Sequence, residues 1–132
     1  MPASFPRQFE IFKRKADADL DLVNLALSLE EQGIDLDIVF FHLQQAAEKY
    51  LKTLLSFNGV HFEKVHDIQK IITTCSDNAV MLPDFVEIFV ELNPYAVEGR
   101  YAVIADDMDD AARYANFLKQ LKLHVENVTG HV

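Results

Sequence analysis

The chain is poor in the residues that punctuate or staple a fold. It has one cysteine, no tryptophan, four glycines and four prolines in 132 residues. A single thiol, Cys75, cannot form an internal disulfide, so nothing points to an oxidising compartment and a reducing cytoplasm is expected. So few glycines and prolines leave little turn chemistry for the many reversals of an all-β domain. Asp, Glu, Lys or Gln interrupts every apolar run well short of bilayer length, which argues against a membrane span. The opening Met1-Pro2-Ala3-Ser4-Phe5-Pro6 lacks the basic-then-apolar pattern of a secretion signal.

Positive charge is also scarce. Twelve Lys and Arg stand against 21 Asp and Glu, a formal net charge of −9. Residues 1–15 hold four bases (Arg7, Lys13, Arg14, Lys15) and one acid, Glu10, for +3; the remainder, 8 bases and 20 acids, carries −12. A surface this negative repels phosphate backbones over most of its extent, so any nucleic-acid contact requires a local basic site. The N-terminal basic cluster is one such site or simply a solvated helix face.

What the chain has in quantity is hydrophobic residues, half of its length, arranged at helical spacing. Length and pattern predict one all-α domain over residues 1–132, with five helical segments. The first helix covers about residues 7–31, with Ala16, Leu20, Val23 and Leu27 in step and Gly33 as a stop. Asp35 caps the second, which runs to about Phe57 before Asn58-Gly59. A short third helix follows His66-Asp67 and closes near Ser76-Asp77-Asn78. A fourth starts at Pro83 and ends before Asn93-Pro94. The last, about residues 107–128, has four aspartates at its start and Tyr114, Leu118, Leu121, Val125 and Val128 as its buried stripe.

The second helix is the most informative segment. Val39, Leu43, Ala46, Ala47, Tyr50 and Leu54 share one broad apolar face, and His42, Gln45, Lys49, Lys52 and Ser56 step along the opposite side. Phe41 and Leu55 fit neither set and fall beside Gln44, Glu48 and Lys52. Either these five residues form a partner surface, implying a homodimer, or another helix of the same chain covers them.

Phe41-His42-Leu43-Gln44-Gln45-Ala46-Ala47-Glu48-Lys49-Tyr50-Leu51-Lys52 resembles the second-helix signature of prokaryotic HEPN proteins. Val65-His66-Asp67-Ile68 resembles that family's step into its third helix, and Leu92-Asn93-Pro94-Tyr95 with Arg100-Tyr101 resembles the loop before its last helix. The pieces stand in the family's order and span about residues 16–128. The resemblance implies an all-α fold, a compact antiparallel up-and-down bundle of four to five helices, usually a homodimer, in a family tied to nucleotides and RNA. Many members are metal-independent ribonucleases, and others are partner subunits of small nucleotidyltransferases in toxin–antitoxin operons. The nuclease members carry Arg followed, after four to six residues, by His. Here the corresponding positions after Arg100 are Ala105, Asp106 and Asp107, and after Arg113 they are Leu118, Lys119 and Gln120. Arg7 and Arg14 have no such His either.

Arg100, Tyr101 and Tyr95 are the candidate nucleotide- or RNA-binding set: a guanidinium clamps phosphate and tyrosine rings stack on bases. The same residues could instead cap a carbonyl and pack. His42 and Lys49, nearly two turns apart on one face, could flank a phosphate or belong to a solvated stripe. Asp67 is a natural helix cap, which gives His66-Asp67 a structural role. Glu63 and His66 have a carboxylate–histidine metal spacing, but a di-metal bundle needs two such pairs and two more glutamates, so no metal or other cofactor is expected. The expected function is a non-catalytic nucleotide- or RNA-associated binding or partner subunit, paired with a separate minimal nucleotidyltransferase. The alternatives are a divergent ribonuclease that borrows a histidine such as His42 or His66, and a dimeric structural module.

Overall fold

The computed structural model describes residues 7–29, 35–96 and 107–130. They form four α-helices and one 3-10 helix: α1 Gln8–Ser28, α2 Leu36–Phe57, α3 Ile68–Asp77, the 3-10 helix Val86–Tyr95, and α4 Met108–Thr129. There is no strand among the described residues.

The helix starts follow from local chemistry. Asp35 accepts from the Asp37 N–H at 2.9 Å to open α2, and Asp67 does the same for the Gln69 N–H at 2.9 Å to open α3. At α4, Asp107 accepts from the Asp110 N–H at 2.9 Å while Asp110 accepts from the Asp107 N–H at 3.0 Å, a reciprocal pair that answers two unpaired donors. The ends differ in cost. Gly59 and Gly130 supply the left-handed backbone after α2 and α4, with φ of 68° and 73°. After α3 the same role falls to Ala79 at φ 57°, where a Cβ is strained.

α2 lies at the centre and packs against α1, α3, α4 and the 3-10 helix. α1 runs antiparallel to it: Phe9 meets Phe57 edge-on at 5.1 Å between centroids, and Asp19 reaches back to His42. α4 runs along α2 in the same direction, with Tyr114 against Phe40 near one end and Glu126 beside Tyr50 further on. This is the up-and-down bundle that the resemblance implies. The expected apolar face of α2 (Val39, Leu43, Ala46, Ala47, Tyr50, Leu54) is buried throughout.

Two expectations are corrected. The fourth segment is a 3-10 helix that starts later than Pro83 and continues through Asn93-Pro94. Pro94 has no N–H to donate, and the tighter i→i+3 pattern resumes past it with the Ala96 N–H on the Asn93 carbonyl at 3.0 Å. Val128 does not complete the buried stripe of α4: it is 38% exposed, one turn beyond the neighbours that cover Val125. The expected stop at Gly33 lies outside the described residues.

Candidate functional site

The residues that carry the second-helix signature meet the His66-Asp67 step in a polar knot. Glu48, 4% exposed at its side chain, is the hub. Its Oε2 takes a hydrogen bond from Lys52 Nζ at 2.9 Å, one turn on. Its Oε1 accepts from Gln44 Nε2 at 3.1 Å and from His66 Nδ1 at 3.0 Å. Gln44 Nε2 also donates to the His66 carbonyl at 3.2 Å, so Gln44 holds the backbone and Glu48 the ring of the residue two places before α3. Lys52 is buried because Phe62 closes over it, ring centroid 6.0 Å from Nζ, with Phe12 behind that ring at 6.0 Å. Asn93, from the third signature piece, completes the arrangement by accepting from the Ile68 N–H at 3.0 Å and donating to Asp67 at 3.1 Å. Three separate sequence motifs therefore fix one helix start.

Chemically, this knot presents an oriented imidazole. A buried carboxylate holds Nδ1, while 66% of the His66 side chain is exposed. Such an arrangement fixes the ring's tautomer and leaves Nε2 outward. His66 turns towards Glu48 and not Glu63. Among the described residues no three His, Cys, Asp or Glu side chains gather to hold a metal. Beside the knot, between the 61–65 loop and α3, lies a groove of about 490 Å³ lined in part by His61, Phe62, Val65, Lys70 and Thr73.

A second polar seam joins α1 to α2 and α4, and it contains acids that the sequence reading did not single out. Asp19 binds His42 Nδ1 at 2.9 Å through one oxygen and Lys49 Nζ at 2.7 Å through the other. Asp17 accepts from Tyr50 Oη at 2.6 Å and from Lys13 Nζ at 2.7 Å, and Lys13 also reaches Glu126 at 3.0 Å. Burial works against the Lys13 ammonium, but its hydrogen bonds to Asp17 and Glu126 outweigh that and hold its pKa above the ordinary value. Burial, and then the Asp17 carboxylate, push the Tyr50 phenol far up. One signal was available: at about 100° per residue, Asp17 and Asp19 flank the apolar stripe of α1 on either side, where neighbouring helices meet.

His42 and Lys49 thus come together, as a phosphate-flanking pair would, but around Asp19. Tyr95 is buried and stacks on Phe40, centroids 4.9 Å apart and planes 21° from parallel, so no face of it is open to a base. Arg100 and Tyr101 lie outside the described residues. The five residues assigned to a partner surface sit differently from that expectation. Leu55 is fully buried, Gln44, Glu48 and Lys52 are buried in the knot, and Phe41 is half-buried. The reason is geometric: four elements surround α2, so a second apolar set on it faces its own chain.

The HEPN domain family model matches residues 9–128. Among solved structures, the crystal structure of an archaeal HEPN homologue is similar over 95% of this chain and 99% of that one, with 22% identity and a TM-score of 0.67. No match was found among curated proteins.

Proposed function

This chain belongs to the HEPN domain family, and within it we propose that the chain is a non-catalytic subunit serving a nucleotide- or RNA-handling partner, a separate minimal nucleotidyltransferase of a toxin–antitoxin-type pair. One observation carries this reading: the polar groups of the signature motifs are engaged with one another. Gln44, Glu48, Lys52 and His66 bond among themselves, and His42 and Lys49 are held by Asp19. Metal-independent RNA cleavage needs a group free to move a proton and a cation free to meet the phosphate. The sequence supplies no histidine four to six residues after any arginine.

The test incubates the purified chain with mixed-sequence RNA in the absence of metal. Intact RNA is the expected result. Cleavage by the wild type that vanishes in Arg100→Ala overturns the proposal. Co-purification with a nucleotidyltransferase encoded beside this chain tests the pairing itself.

A second reading, a divergent ribonuclease, draws on the exposed His66 ring held by Glu48. It requires cleavage that is lost in both His66→Gln and Arg100→Ala.

A further inference from the structure

Three exposed leucines lie within the longest run of the sequence without lysine or arginine. Leu22, Leu25 and Leu29 recur at i, i+3 and i+7 along α1 and are 45%, 58% and 51% exposed; Ile38, at the start of α2, is 49% exposed. Together they offer roughly 400 Å² of apolar surface, a size at which a patch on a monomer is commonly functional. Between α1 and α2 the patch deepens into a groove of about 140 Å³ walled by Leu22, Ala26, Ile38 and Val39, with Asp35 and His42 at its edges.

The border of this patch is negative. Asp21 on α1 and Asp35 before α2 are exposed, and Asp37 is half-buried. Between Lys15 and Lys49 the sequence has eight acidic residues and no lysine or arginine. The nearest lysine on α2, Lys49, is already bound to Asp19, as is the His42 ring. Lys15, about two turns before Leu22, is the cation at the far end of the α1 stripe.

We propose that this groove docks an amphipathic helix of a partner protein, with apolar residues at i, i+3 or i+4, and i+7 entering the groove and Lys or Arg on the flanks. The inference deepens the partner-subunit reading by naming the chemistry of the docked segment. Charge chooses this occupant over the others. A second copy meeting face to face would bring the acidic border of Asp21, Asp35 and Asp37 against the same border of its partner, and like charges across an interface oppose association. An anionic lipid surface meets the same repulsion. A basic helix lays its stripe on the leucines and its charges on the acids, as helix-in-groove recognition requires.

The experiment uses the full chain and two fluorescein-labelled 18-residue synthetic helices. They share one apolar stripe; one carries Lys on its flanks, the other Glu. Anisotropy at low salt should show the Lys-flanked peptide binding at least ten-fold tighter. Leu25→Ser with Ile38→Ser should weaken it ten-fold or more, with the melting temperature checked to confirm folding. Asp21→Asn should weaken it several-fold, and added salt should do the same. Equal binding of the two peptides, no binding of either, or binding indifferent to the substitutions overturns the proposal. So does self-association of the wild type, or adhesion to phosphatidylserine vesicles, that disappears in the Leu25→Ser variant. The RNA assay contains no peptide, so failure here and failure of the non-catalytic reading are read separately.

Discussion

Replacing Lys52 with methionine tests the polar knot most directly. The substitution keeps the length and most of the apolar volume of the side chain, so the contact with Phe62 persists while the charge goes. Lys52 and Glu48 are only 8% and 4% exposed at their side chains, so solvent screens the lost interaction little. Removing one partner of a buried ion pair costs about 3–5 kcal/mol, most of it from the stranded charge. Here Glu48 keeps hydrogen bonds from Gln44 and His66, which places the expected loss at the low end, about 3 kcal/mol at pH 7.5. Urea denaturation at pH 7.5 measures the effect. The double variant Glu48→Gln with Lys52→Met leaves no buried charge, so it should cost less than Lys52→Met alone. A loss under about 1 kcal/mol for Lys52→Met would refute the buried-hub reasoning.

Three further outcomes are expected. Ala79→Gly should stabilise the chain by about 0.5–1 kcal/mol, because glycine relieves the left-handed strain at φ 57° after α3; a urea midpoint that does not rise would show that the strain is absent. Leu43→Ala and Leu118→Ala should each cost about 2–5 kcal/mol, as fully buried leucines do, and a loss under half that range would mean the site collapses around the gap. Cys75, Tyr50 and Lys13 all have folded pKa values raised above their ordinary 9.0, 10.0 and 10.5, and burial pushes the Cys75 thiol up to about 12. Groups raised in the folded state bind more protons there, so their contribution is complete below the unfolded values and falls as pH climbs above about 9. The urea midpoint should therefore decline between pH 9 and 11, and a level alkaline limb would contradict the burial of Cys75 and Tyr50 and the ion pairs of Lys13.

The sequence made helix periodicity and caps legible because both are local. Asp35, Asp67 and the Asp107–Asp110 pair stand where short-range chemistry requires them. Which elements become neighbours is not local. The position of Leu55 on a helical wheel says that it points away from the main apolar face of α2; it cannot say that other elements pack there too, leaving Leu55 fully buried. Tyr95 misled for a related reason. A tyrosine five positions before an arginine reads as a ligand platform until Phe40, 55 positions earlier, turns out to lie nearly flat against it. The knot was half visible: the Gln44, Glu48 and Lys52 spacing and the His66-Asp67 step could each be seen, but nothing local joins residues 18 positions apart.

The single thiol of the chain has a practical consequence. Cys75 sits on the inner side of α3, fully covered, and burial keeps it in the unreactive protonated form. A disulfide-exchange reagent can reach it only when α3 lifts from α2 or the whole bundle opens. Because no other cysteine competes, the labelling rate in native buffer is a clock for that motion. If the rate follows global stability as urea is added, α3 opens with the bundle. If it stays nearly flat at low urea, α3 detaches by itself, and the Asn93–Asp67 contact becomes the latch whose strength sets the tempo.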